Sequence, residues 1–216
     1  MLCILHGFSE KEPMHSLLIK GGSRPIHRPF LLHTAMEFFV PVEIPEAIVI
    51  SSARTLEYWG EWRDFIQKHG VKVYAIGPKT SKKLLQSGIH AVVAEGSGLS
   101  VMKRVQQDRV SSFLHIGAET ISKTLSNAMK EVNIPYSRVV VYKSIAHPQF
   151  EIPKEVDRGC LNSERCARIW AKYGFEIPVL CLGQSTAQEA KRLGLKIIAV
   201  AAQPTREELV RIALKG

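Results

Sequence analysis

The sequence predicts an α/β protein made of two similar halves, each with a parallel sheet, around an anion-binding cleft. Three observations lead there. Short apolar runs alternate with helix-length segments along most of the chain, the pattern of parallel strands joined by helical crossovers. A strand–glycine–threonine–helix unit occurs twice at one fixed offset. Each copy opens a helix at the carboxyl edge of its sheet, where backbone N–H groups favour anions.

Taken in order, Ser16-Leu17-Leu18-Ile19-Lys20 reads as a short buried strand ending at Gly21-Gly22, and Ser23 to Pro29, with two prolines, as a loop. Phe38-Phe39-Val40-Pro41-Val42 is a second strand, with Pro41 placing it at an edge or a strand end. Ala47 to Ile50 is an apolar strand, and Ser51-Ser52 caps a helix carrying Leu56, Trp59 and Phe65. Val71 to Ile76 is a strand stopped by Gly77-Pro78; Thr80 then caps a helix through Ser87 that Gly88 ends. Phe113 to Ile116 is a strand, Glu119 to Val132 a helix, and Val139 to Tyr142 a strand running into Ala146-His147-Pro148.

From there the pattern restarts. Asn162-Ser163 precedes a helix through Trp170 and Lys172. Val179 to Leu182 is a strand, Gly183 a turn, and Thr186 to Leu193 a helix stopped by Gly194. Ile197 to Ala201 is a strand, and Pro204-Thr205 opens a last helix over Arg206 to Leu214.

The two stretches match. Val73, Gly77, Thr80 and Gly88 correspond to Val179, Gly183, Thr186 and Gly194 at an offset of 106 residues, and Ser52, Arg54 and Trp59 to Ser163, Arg165 and Trp170 at 111. The identities fall on glycines and cap hydroxyls that set strand–turn–helix geometry. A repeat this long points to two similar domains rather than a solenoid.

Composition allows this. A chain of 216 residues, 45% hydrophobic, can bury one large core or two small ones. Cys3, Cys160, Cys166 and Cys181 form no CxxC pair, and Leu2 to Leu5, followed by Glu10 and Glu12, is too short for a signal core. Reduced, buried thiols in a cytoplasmic protein are expected. No run approaches the roughly 18 apolar residues of a membrane span. The net charge of +9 suits a polyanionic partner, but the cations are dispersed over helix faces, as at Lys79, Lys82 and Lys83. Neither a nucleic-acid motif nor interleaved aromatics accompany them, so no nucleic-acid partner is expected.

Familiar chemistry is also missing. Gly96-Ser97-Gly98 lacks the third glycine of a dinucleotide site, since Val101 stands at that spacing. The eight histidines show neither HExxH nor zinc spacing, and neither a phosphate loop nor a GxSxG elbow occurs. No metal and no cofactor are expected.

Several segments are similar to those of uroporphyrinogen-III synthases. Ile48-Val49-Ile50-Ser51-Ser52-Ala53-Arg54 resembles the family's first strand–helix turn. Tyr74-Ala75-Ile76-Gly77-Pro78-Lys79-Thr80 and Leu180-Cys181-Leu182-Gly183-Gln184-Ser185-Thr186-Ala187 resemble its two strand–glycine–threonine elements. Phe113-Leu114-His115-Ile116-Gly117 and Val139-Val140-Val141-Tyr142-Lys143-Ser144 resemble the strands that follow. The order and spacing of these pieces, from about Ile48 to the C-terminus, carry the likeness.

The resemblance implies two flavodoxin-like domains joined by a two-stranded linker: a discontinuous domain of residues 14–43 plus 150–216, and a continuous one of 46–144. Residues 1–13 are then expected to be a flexible extension, and Pro41, Pro45 and Pro148 to mark the crossings. It further implies a cofactor-independent lyase, a monomer, that cyclises hydroxymethylbilane with inversion of the last pyrrole ring and loss of water. Tyr142 is the implied acid, protonated at neutral pH by its ordinary pKa near 10. Ser52, Gly77, Thr80, Gly117, Ser163, Gly183 and Thr186 are the implied substrate contacts. The rival reading is a bilobed small-anion-binding protein without catalytic activity.

Overall fold

The computed structural model describes residues 1–41, 43–94, 97–174 and 176–215. The first part of the chain forms β1 (Cys3–His6), α1 (Met14–Lys20), β2 (Arg24–His27) and β3 (Leu31–Ala35). Next come β4 (Ala47–Ile50), a 3₁₀ turn at Ala53–Glu57, α2 (Trp62–His69), β5 (Lys72–Ile76), α3 (Pro78–Gln86), β6 (Ala91–Ala94) and α4 (Gly98–Gln107). They are followed by β7 (Phe113–Ala118), α5 (Lys123–Glu131), β8 (Tyr136–Ala146), β9 (Arg158–Leu161) and α6 (Glu164–Tyr173). The chain ends with β10 (Val179–Cys181), α7 (Gln184–Arg192), β11 (Ile197–Val200) and α8 (Arg206–Ala213).

Two compact units result, residues 33–144 and residues 1–32 with 145–216. Both passages between them fall within β3 and β8, which are neighbours in one sheet. The inward passage lies ahead of Pro41, and residues 33–43 belong to the central unit rather than to the discontinuous one.

The central unit is built on the sheet β3-β8-β7-β4-β5-β6. All four residues of β4 are buried, as a strand covered on both faces requires. Ile48 and Ile50 pack with Trp62, Ile66 and Leu84 of α2 and α3. Ala47 and Val49 pack with Val101, Met102, Leu125 and Met129 of α4 and α5.

The other unit repeats this plan on the sheet β11-β10-β9-β1-β2. Cys3 and Leu5 face Trp170 and Ala187, while Ile4 faces Met14, Leu18 and Leu209. The correspondence extends to register. Val73 pairs with Ala91 as Val179 pairs with Ile197; Ile50 pairs with Ala75 as Leu161 pairs with Cys181. Val49 pairs with His115 as Cys160 pairs with His6, and His115 pairs with Arg138 as His6 pairs with His27. The second copy is circularly permuted: β9, β10 and β11 are its first three strands, and the N-terminal β1 and β2 complete it.

That permutation corrects several expectations. Residues 1–13 are not a flexible extension, because Cys3–His6 is the strand between β9 and β2 and all four of its residues are buried. Residues 16–20 belong to a helix, with Met14 and Leu18 buried one turn apart; a Leu-Leu-Ile run fits either period at this length. The expected loop from Ser23 contains β2. Phe38 to Pro41 form no strand, and the strand that leads into the central unit and edges its sheet is β3. Val42 and Gly96 lie outside the described residues.

All four cysteines are free and buried. Burial pushes the Cys160 thiol up to about 12 and Cys181 up to about 11, which keeps both protonated and unreactive.

Candidate active site

In the central unit β5 lies on one side of β4 and β7 on the other, so the crossover helices leave opposite faces and a crevice opens at the carboxyl ends of these strands. A concavity of about 420 Å³ occupies it. Ser51 and Ser52 follow β4, Ala118 and Thr120 follow β7, and Tyr142 comes from β8. Ser97-Gly98 and Ser122-Thr124 bring the starts of α4 and α5 to the same cavity.

Local chemistry explains each placement. Ser52 is the N-cap of the 3₁₀ turn, its Oγ accepting from the Arg54 N–H at 3.2 Å. Ser122 caps α5, its Oγ accepting from the Leu125 N–H at 3.2 Å. α4 and α5 approach so closely that a Cβ on Gly98 would lie 2.7 Å from Leu125 Cα. Glycine at 98 is therefore a packing requirement, and it lets both helix starts reach one cavity.

The lining is polar but uncharged. It contains six aliphatic hydroxyls (Ser51, Ser52, Ser97, Thr120, Ser122 and Thr124) and, among the described residues, no Lys, Arg, Asp, Glu or His. Hydroxyls and helix N-termini suit a carboxylate without a fixed positive charge. Tyr142 is the one titratable side chain in this lining among the described residues. It stacks on Tyr58, ring centroids 5.2 Å apart, and meets His33 edge-on at 6.1 Å. Burial raises its pKa; a hydrogen bond with the Ser52 hydroxyl and the Arg54 charge act in the opposite direction. The phenol stays protonated at neutral pH.

Behind the lining lies a buried histidine. His115 Nε2 is 3.0 Å from Ser51 Oγ, and Arg138 Nε donates to His115 Nδ1 at 3.3 Å. Arg138 Nη2 also donates to the carbonyls of Ala118 and Glu119, at 2.6 and 3.3 Å. Burial, reinforced by the Arg138 charge, pushes the His115 pKa down to about 4.

The structure thus brings Ser52 and Tyr142 into one cavity, with Gly117 next to the lining residue Ala118. Gly77 starts α3 with φ +77, a backbone state that favours glycine. Thr80 is not the cap of α3: it is the third residue of that helix, its side chain is buried, and it does not line the cavity. Thr186 is likewise inside α7 and buried, with Gly183 at the cap position. The glycine and Pro78 or Gln184 already begin each helix, which moves the threonine into its first turn. Ser163 does cap α6, accepting from the Cys166 N–H at 3.3 Å.

Sequence reading missed Ser97, Thr120, Ser122, Thr124, His115 and Arg138. Ser122 carried a signal, a cap residue before an amphipathic run. So did His115, a polar residue inside an otherwise apolar strand.

The chain matches the family model for uroporphyrinogen-III synthase HemD over residues 12–211. No match is found among curated proteins. Among solved structures, the chain is similar to uroporphyrinogen-III synthetase from Helicobacter pylori, with a TM-score of 0.74 and 15% identity over 99% of each chain. It is also similar to a mutant uroporphyrinogen III synthase from the extremely thermophilic bacterium Thermus thermophilus, with a TM-score of 0.62 and 15% identity over 99% of this chain and 97% of that one.

Proposed function

The chain belongs to the uroporphyrinogen-III synthase family, and from that premise we propose how its strand-end cavity serves the family's reaction. That reaction is the cofactor-independent cyclisation of hydroxymethylbilane, with loss of water and inversion of the last ring. Loss of the terminal hydroxyl leaves an azafulvene cation. The last ring attacks it through its substituted carbon, and the spiro intermediate fragments and recloses inverted. The protein's task is to fold the bilane, deliver one proton and stabilise a cation, which is positioning and electrostatics.

Tyr142 delivers the proton to the departing hydroxyl. The observation that carries this assignment is that no other described side chain lining the cavity titrates, while burial keeps this phenol protonated. Ser52 and the backbone N–H groups near Gly77 and Gly117 hold acetate or propionate groups, and Thr80 supports the start of α3. Ser163 and Gly183, at the equivalent strand ends of the other unit, are the proposed carboxylate contacts there, and Thr186, in the first turn of α7, supports the start of that helix as Thr80 does for α3. The reading includes a monomer acting in the cytoplasm. Charge-assisted hydrogen bonds to carboxylates are roughly twice as strong as neutral ones, which is how an uncharged cavity grips a polyanion.

The test is incubation with enzymatically made hydroxymethylbilane, then oxidation and chromatography that separates type I from type III porphyrin. Type III product is expected. Type I alone, as in spontaneous closure, would refute the reading.

A further inference from the structure

The Arg138–His115–Ser51 chain has a direction that the chemistry of its members fixes. Arg138 Nε is a donor with no acceptor capacity, so His115 Nδ1, 3.3 Å away, must accept from it. The single proton of a neutral imidazole then sits on Nε2, which faces Ser51 Oγ at 3.0 Å. Ser51 Oγ therefore accepts from the histidine, and its own O–H is left to donate elsewhere. Ser51 lines the cavity. The ring itself is fully buried, so water does not compete for either nitrogen.

We propose that His115 is a positioning residue that turns the Ser51 hydroxyl into a one-way donor aimed at a carboxylate of the bound tetrapyrrole. This rests on the cavity being the substrate site. The arrangement is not a by-product of the fold. At the equivalent position of the other sheet His6 is paired with His27, not with an arginine, and neither His6 ring nitrogen has a hydrogen-bond partner. The central unit alone holds the arginine that selects the tautomer. A freely rotating serine would accept or donate equally, and its acceptor orientation repels an anion. Fixing the donor orientation before binding removes that loss.

Two measurements test this. Long-range ¹H–¹⁵N spectra of the folded wild type should show His115 as the Nε2–H tautomer, and Arg138→Met should let the Nδ1–H form appear. In steady state, Ser51→Ala should raise KM for hydroxymethylbilane about tenfold or more, as loss of a hydrogen bond to a charged group does. His115→Leu, which keeps the hydroxyl but frees its rotation, should raise it by a smaller factor, about twofold to fivefold. kcat should change much less. The double variant should be no worse than Ser51→Ala, because without the hydroxyl His115 has nothing to orient. His115→Gln, whose amide N–H reaches the Nε2 position, should recover most of the loss. An Nδ1–H or doubly protonated His115 in the wild type overturns the proposal whatever the variants do. So does a normal KM in His115→Leu when Ser51→Ala raises it, which leaves the cavity assignment standing. If Ser51→Ala and Tyr142→Phe are both without effect, the cavity assignment itself fails.

Discussion

His115 and His6 occupy the same position in two sheets of matching strand order, each paired in register with the strand that follows it. They differ in what their rings meet. His115 bonds to Arg138 and Ser51, while His6 lies among His15, His27 and Phe8, with ring centroids 5.7, 4.9 and 6.2 Å away. Both rings are fully buried, and that shared state has a consequence for stability.

Burial pushes His6 down to about 3, helped by His27, His15 and Arg206 and opposed by Glu12; burial and Arg138 push His115 down to about 4. In the unfolded chain both titrate near 6.5. Above that pH the two states bind equal protons at these sites. Below it only the unfolded state takes them up, so stability falls as pH drops from about 6.5 towards the folded values. Each ring contributes up to about 1.4 kcal/mol per pH unit. The urea midpoint should decline steadily from pH 7 to pH 4, and His6→Met, of similar volume, should make the decline shallower. An unchanged slope in that variant would show that His6 is not held neutral.

Leu5 is fully buried against the α6 and α7 face of its sheet. Leu5→Ala should destabilise the protein by about 2–5 kcal/mol, as cavity-forming substitutions in a core do. Urea denaturation reads this directly. A change below about 0.5 kcal/mol is what an exposed position gives, and would mean that the N-terminal strand does not belong to the sheet.

Gly98→Ala places a methyl 2.7 Å from Leu125 Cα, a backbone atom that cannot turn aside. The expected cost is about 1–3 kcal/mol of stability. KM for hydroxymethylbilane should rise as well, because Ser97 and Ser122 separate. Chemical denaturation and steady-state kinetics should move together; loss of stability with normal KM would remove the start of α4 from the site.

Tyr142→Phe keeps the ring that stacks on Tyr58 and removes the proton. General acid catalysis contributes about 10²–10⁴-fold, and a water can replace part of it. The rate of bilane consumption should fall at least about tenfold, while the enzyme-formed product stays type III because the folding contacts remain. A wild-type rate would make Tyr142 structural, leaving catalysis to backbone donors.

Thr80 and Thr186 show how far local reading reached. Their place after a strand and a glycine was legible, and so was the repeat relating them, because glycines and cap hydroxyls mark strand–turn–helix units within a short stretch of chain. The same locality made β4, β5, α6 and the strand bearing Tyr142 readable. Whether the threonine is the cap or the third residue depended on a three-residue shift in where the helix starts, which propensity does not resolve.

What the sequence determined by itself was therefore the α/β class, the duplication, and the placing of Ser52 after one strand and of Tyr142 on another. The tertiary structure decided the rest. β1 is four residues long, too short for a periodicity, and its identity as a central strand comes from pairing with the remote β9. Likewise, Ser51 and His115 are 64 residues apart in sequence, and His115 and Arg138 are 23 apart. Only the lateral order of three parallel strands places them in one row. Parallel pairing satisfies backbone groups between segments remote in the chain, so neither the strand nor the row is written in any local stretch.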